Sequence, residues 1–433
     1  MVTRNRASKS IGTTWKLVSR TLRLLLVASA ITTVTSANAG NRIFSPRYKT
    51  LQAVVNNDWL TPPIMRLNSD DILNIGFDEL SHEYHRLVYR IEHCEADWSP
   101  SNGLFESDYI EGFNGLPIED YQNSRGTTTL YTHYRLQIPN SQCRIKMSGN
   151  YRLAIYDEDN NMEKVMEVEF RVTDGRMNVG VGVYTNTDID NNVGHQQLHI
   201  KLNYNGLKVT NIDEQVFLVV TQNGREDNMK VNPKPTFISN GGLEWSHNRQ
   251  LIFKAGNEYR KYEVLALTHP TMGIDHITWD GHAYHAYPFA AEPRRNYLYD
   301  QDANGAFYIR NSDNFENDYT CDYVLVHHQL NSHGPLPVES VFIDGWWATD
   351  KNRENYRMQY NEESQAYHTV LLQKQGYYSY QYIGADKRGA TDNLECEGNF
   401  YQTENRYQVY VYYRPLGSRS WQLSGYQQKV FTK

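Results

Sequence analysis

Two stretches near the C-terminus decide the fold. The first is Leu371-Leu372-Gln373-Lys374-Gln375-Gly376-Tyr377-Tyr378-Ser379-Tyr380-Gln381-Tyr382. The second, after a polar connection, is Thr403-Glu404-Asn405-Arg406-Tyr407-Gln408-Val409-Tyr410-Val411-Tyr412-Tyr413-Arg414. Both read as β-strands built largely of tyrosine, a residue that suits a half-buried pleated surface. Side chains alternate between the two faces of a strand. Tyr378, Tyr380 and Tyr382 therefore share one face, opposite Tyr377 and Gln381. Tyr410 and Tyr412 likewise oppose Tyr407 and Tyr413. One face is expected to be sandwich core, leaving the other for solvent or a partner. The tract holds no set of acid, base and nucleophile, which points to a module that packs, binds or blocks.

Working outward, the same grammar recurs. Short runs rich in Val, Ile, Tyr, Phe and Thr alternate with Gly, Asn, Asp and Pro turns, and helix-period segments are hard to find. That pattern predicts an all-β chain of tandem sandwich modules. At 433 residues there is room for two to four domains. Tyrosine occurs 33 times, enough to furnish both cores and an interface.

The first 39 residues read as a secretory signal peptide. Arg4, Arg6, Lys9, Lys16, Arg20 and Arg23 form a basic start, Leu22 to Val34 is broadly apolar, and Ala37-Asn38-Ala39 is an A-x-A cleavage site before Gly40. No cysteine follows the cleavage site, so no lipoprotein is expected, and the mature chain reads as soluble and exported, with no direct membrane span. Losing six basic residues and no acidic one takes the formal charge from −7 to −13, with 37 basic residues against 50 acidic. An acidic surface argues against nucleic acid and anionic lipid as partners. Cys94, Cys143, Cys321 and Cys396 contain no C-x-x-C pair, which excludes a zinc ribbon. Export permits disulfides, and free buried thiols are the simpler expectation.

Three modules are expected. Residues 44–173 resemble a fibronectin type III or immunoglobulin-like sandwich, with strands at Leu87–Cys94, Thr127–Ile138, Gly149–Asp157 and Val165–Val172. Residues 174–333 form a β-rich middle region with strands at Gln196–Tyr204 and Gln215–Gln222, and the Asn223-Gly224 turn signal. Asn331-Ser332-His333-Gly334-Pro335-Leu336-Pro337 reads as a linker. Residues 338–433 resemble the early-set sandwiches appended to glycogen-branching enzymes.

Chemical motifs are scarce. His82 and His85 are three apart, whereas the zincin motif needs histidines four apart on one helix face. Asp300-Gln301-Asp302-Ala303-Asn304-Gly305 matches the first half of a calcium loop, but Asn311 stands where the bidentate Glu belongs. Asp188-Ile189-Asp190-Asn191-Asn192 is equally well explained as a turn. His327 and His328 are adjacent in a strand and face opposite sides. His276, His282 and His285 cluster in a segment read as irregular. No G-x-S-x-G, P-loop or Rossmann signature occurs. No catalytic residue, metal, cofactor or small-molecule substrate is expected. Trp346, Trp347, Tyr378, Tyr380, Tyr382, Tyr410 and Tyr412 are the candidates for partner contact, and stacking on a sugar ring by Trp346 or Trp347 is the alternative.

An ordered set of marks carries a more specific resemblance. It runs through Pro62-Pro63-Ile64-Met65-Arg66-Leu67-Asn68, then Ile91-Glu92-His93-Cys94-Glu95-Ala96-Asp97-Trp98-Ser99-Pro100-Ser101, Asp108-Tyr109-Ile110-Glu111-Gly112-Phe113, Tyr131-Thr132-His133-Tyr134 and Ser148-Gly149-Asn150-Tyr151. It continues with Gln222-Asn223-Gly224-Arg225-Glu226-Asp227-Asn228, Pro235-Thr236-Phe237-Ile238, Gly256-Asn257-Glu258-Tyr259-Arg260, Lys374-Gln375-Gly376-Tyr377-Tyr378 and Tyr412-Tyr413-Arg414. In this order they resemble the type IX secretion system plug family of Bacteroidota. Departures from the family pattern near Gly224-Arg225 and at Tyr259 are mild. The resemblance implies a periplasmic, non-catalytic subunit at the inner face of the outer membrane. Its partner would be the giant translocon β-barrel, sealed when no cargo carrier is docked. The rival expectation is a periplasmic or surface glycan-binding β-sandwich protein.

Overall fold

The strand Leu87–Cys94 shows how alternation becomes architecture. Tyr89 and Ile91 are buried and Arg90 and Glu92 exposed, so one face seeks a partner sheet. The structure, a computed structural model, describes residues 40–433; the expected signal peptide at 1–39 lies outside the described residues. The chain is nearly all β: among the described residues the α-helices are single four-residue turns, and none is long and apolar enough to cross a membrane.

The first sandwich pairs Leu87–Cys94 with Gly149–Asp157, and that strand with Glu163–Thr173, with short strands completing the sheet. Facing it, Tyr48–Val55, Leu73–Glu79, Thr132–Ile138 and Asp120–Asn123 form a four-stranded sheet. Aromatic pairs fill the core: Phe77 stacks on Tyr134 and Tyr151 on Phe170, each at 5.3 Å between ring centroids. Thr132–Ile138 begins five residues later than the expected Thr127. The Thr128 and Thr129 amides and the Thr128 hydroxyl instead donate to the Asp322 carboxylate, at 2.6, 3.1 and 2.7 Å.

The other two modules divide the chain differently from the expected break between 333 and 338. In the second sandwich, one sheet runs through Asn178–Tyr184, His195–Asn203, Gly242–Trp245 and Phe237–Ser239. The other runs Arg225–Val231, Val216–Gln222, Asn405–Tyr413 and Gln422–Phe431. The second tyrosine strand is therefore a central strand of the middle module, in register from Val216 opposite Tyr413 to Gln222 opposite Tyr407. The third module is a ten-stranded sheet around one core, ordered Arg260–Val264, Gly376–Ala385, Ser340–Asp344, Arg357–Asn361, Ala366–Lys374, Tyr323–Asn331, Tyr284–Pro288, Ile274–Trp279, with Phe307–Ile309 and Thr391–Asn393 paired to Gly376–Ala385. Asn331 to Pro337 is a bend inside this module. Gly and Pro mark any chain reversal, within a domain as readily as between two, so punctuation alone misplaced the boundary.

Candidate functional site

Six of the seven residues expected to contact a partner are buried and the seventh, Trp346, is half-buried, so they form no exposed contact surface. Tyr378, Tyr380 and Tyr382 sit on Gly376–Ala385, a strand paired along both edges, and belong to the third core. Tyr378 stacks with Tyr262 at 5.5 Å and donates its hydroxyl to the Lys374 carbonyl. Trp347 is buried against Tyr356 and Tyr378 and donates Nε1 to the Ser379 carbonyl at 3.0 Å. Trp346 is half-buried and donates Nε1 to the Asn223 carbonyl at 3.0 Å, tying the third module to the second. Trp347 is therefore core, and Trp346 has its Nε1 engaged within the chain, which weakens the glycan alternative that rested on the pair.

Tyr410 and Tyr412 do meet a partner surface, but it belongs to the same chain. Tyr407, Val409, Val411 and Tyr413 face the second core, and Tyr410 and Tyr412 face the first sandwich. Tyr412 donates to Asn150 Oδ1 at 2.8 Å, and the Arg171 guanidinium lies 4.2 Å over the Tyr410 ring and 4.8 Å from Trp98. Such cation–π contacts gain strength when desolvated.

The first and third modules meet at a buried polar cluster. Asp78 is fully buried; it accepts from the Lys374 ammonium and the Tyr323 hydroxyl at 2.7 Å each, and lies 2.6 Å from His133 Nδ1. Burial by itself would raise the Asp78 pKa. The Lys374 charge and then His133 outweigh it and hold the carboxyl below its usual range. Nearby, Tyr131 donates to the Cys321 carbonyl at 2.7 Å and its ring lies 4.0 Å from Lys374 Nζ. Between the second and third modules, Arg225 spans to Asn393 at 2.6 Å while pairing with Asp227. Within the third module Glu397 is clamped by Arg260 at 3.0 Å and by Arg294.

The histidines were only partly legible. His276 and His285 lie on a hairpin, Ile274–Trp279 with Tyr284–Pro288, bulged between Ile274 and His276, and not in an irregular segment. The missed signal was Asp280-Gly281, a turn pair between two alternating runs; Gly281 has φ +100°. The outer face of this end of the sheet carries a ladder in which His276 stacks on Tyr287 at 4.2 Å and Tyr287 on His327 at 4.4 Å. His285 Nδ1 is 2.8 Å from His327 Nε2, and its Nε2 is 3.0 Å from Asp280. Burial, then the charges of His285 and His276, lower the His327 pKa. An open pocket of about 370 Å³ lies here, lined by His276, Tyr287, Phe289, His327, His368 and Val370. It offers imidazole hydrogen bonding and aromatic edges. His282 sits in the turn, and His328 points into the core beside Tyr262.

The remaining motifs resolve as structure. His82 hydrogen-bonds Ser124 and His85 pairs with Glu79, so the two point to different partners. In the Asp300–Gly305 segment, Lys261 occupies Asp300 and the Gln301 carbonyl, and the Tyr259 and Asn304 amides donate to Asp302. Asp188 and Asp190 accept from Gln197 and Thr187 and pair with His247 and His195. Among the described residues no group of three or more His, Cys, Asp or Glu is placed to hold a metal ion. The four cysteines are free thiols, and burial pushes Cys94 and Cys321 up to about 12 and Cys143 and Cys396 up to about 11. None is an activated nucleophile.

These features define an all-β protein of three sandwich-like modules cemented by buried polar contacts. Residues 48–174 match the model of the type 9 secretion system plug protein 1st domain. The crystal structure of a hypothetical protein from Parabacteroides merdae is 35% identical, with a TM-score of 0.87 over 91% of this chain and 100% of that one. A Pseudomonas fluorescens alkylpurine DNA glycosylase bound to DNA, 13% identical over 29% of this chain and 30% of its own, has a TM-score of 0.14. No curated protein matches. The chain belongs to the type IX secretion system plug family, and its role is related to that system.

Proposed function

We propose that this chain is a non-catalytic periplasmic plug that seals the outer-membrane translocon barrel of the type IX secretion system when no cargo carrier is docked. The observation that carries the reading is the family match over residues 48–174. The architecture supports it. A very large open barrel would leak solutes, so its stopper must be stiff and wide. Each pair of modules here is joined by buried or half-buried polar links: Asp78–Lys374, Tyr412–Asn150 and Arg225–Asn393. Broken in one place, such links strand desolvated groups, which resists hinge motion between the modules.

The test is affinity purification of the tagged chain from detergent-solubilised outer membrane. The giant barrel subunit is expected to co-purify, and deletion is expected to admit large antibiotics while secretion persists. A tagged chain recovered free of any barrel, with unchanged permeability on deletion, overturns the reading.

A further inference from the structure

The first described residue sits in a charged seat. Gly40 N donates to Glu169 Oε2 at 2.5 Å. Glu226 Oε1 lies 3.9 Å from where a β-carbon on Gly40 would stand. Glu169 belongs to the first sandwich, on Glu163–Thr173, and Glu226 to the second, on Arg225–Val231. The seat thus straddles the junction between them.

Most of the surrounding cations are engaged elsewhere; Arg42, whose Nη2 has no hydrogen-bond partner among the described residues, offsets the burial of both carboxyls only in part. Glu167 takes Arg42, Lys164 and Arg152 Nε, leaving Arg152 Nη2 for Glu169 at 3.1 Å. Arg171 is held between Trp98 and Tyr410 and hydrogen-bonds the Tyr412 hydroxyl. Glu226 makes no side-chain hydrogen bond or ion pair among the described residues. Burial raises the Glu169 pKa, and burial followed by the Glu169 charge raises that of Glu226. One more positive charge at Gly40 N would relieve both.

We propose that hydrolysis of the Ala39–Gly40 bond creates that charge, and that the new α-ammonium of Gly40 binds Glu169 and Glu226 as an ionic clasp between the first two sandwiches. Water adds across the amide: Ala39 leaves as a carboxylate, and the Gly40 nitrogen takes up protons, as an α-amine does below pH about 8. The clasp rests on the export reading of residues 1–39. It goes beyond that reading because it makes processing complete the fold. Cleavage during export precedes folding, so the seat need not admit a peptidase.

Two measurements keep the readings apart. The intact mass of the exported chain is expected to place its first residue at Gly40; another first residue overturns the proposal through the export reading. Separately, chain 40–433 with a free Gly40 amine is compared with the same chain carrying a Gly-Ser extension ahead of Gly40. At pH 7 the free-amine chain is expected to melt at least about 2 °C higher. The difference should shrink as pH rises past about 8, and vanish in the Glu169→Gln/Glu226→Gln double variant. Equal melting of the two chains, or a difference that survives in the double variant, overturns the clasp and leaves the processing reading standing.

Discussion

At the residue scale, Asp78 and Lys374 carry more consequence than any surface group. Both side chains are essentially excluded from solvent, and each is the other's counter-charge across the junction of the first and third modules. Lys374→Met would leave the Asp78 carboxylate buried beside His133 and Tyr323 without its main partner. Removing one member of a buried pair costs about 3–5 kcal/mol, to be read as a drop in the urea midpoint at unchanged slope. The pH dependence follows from the depressed Asp78 pKa. A carboxyl held lower in the folded than in the unfolded chain contributes stability above its unfolded value, near 4, and loses it as pH falls through the folded value. Lys374→Met should therefore flatten the acid limb of the stability curve. An unchanged acid limb would show that the pair does not govern it.

At the scale of elements, the C-terminal hairpin belongs to the middle module. Asn405–Tyr413 supplies Tyr407, Val409, Val411 and Tyr413 to the second core, where Tyr407 donates to Gln196 at 2.6 Å and meets Phe253 edge-to-face at 5.3 Å. Deleting 405–433 removes two of the four strands in one of that sandwich's sheets. Hydrogen exchange should then rise sharply in His195–Asn203, while Tyr323–Asn331, shielded in the ten-stranded sheet, stays slow. The opposite pattern would mean that the hairpin stabilises the third module.

At the scale of the whole molecule, the modules are expected to unfold together. Every junction is braced by groups that cannot be exposed singly without stranding a desolvated partner. Calorimetry should show one transition, with calorimetric and van't Hoff enthalpies in agreement. A nick within Asn331–Pro337 should leave the two pieces together on a sizing column. Tyr323–Asn331 before the cut and Ala366–Lys374 after it pair over nine residues, from Tyr323 opposite Lys374 to Asn331 opposite Ala366. Separate transitions, or fragments that part after nicking, would contradict a rigid body.

The strands themselves were written in the sequence. Alternation in Leu87–Cys94, Gly149–Asp157 and Gly376–Ala385 is a local property, imposed by a side-chain period of two, and it made the all-β class and the family marks readable before any coordinates. Only the tertiary structure decided which strands meet. Gln222 and Tyr407 lie 185 residues apart and hydrogen-bond in the folded chain, and no local signal encodes that pairing. It is set by which apolar faces complete one another once the chain closes on itself. For the same reason, the alternation of the tyrosine strands announced two apolar-aromatic faces without saying what each would cover. Tyr407 and Tyr413 took a core. Tyr410 and Tyr412 took the neighbouring sandwich, because burying their rings while satisfying their hydroxyls needs a matched surface, and the first module brings Arg171 and Asn150 to the right place.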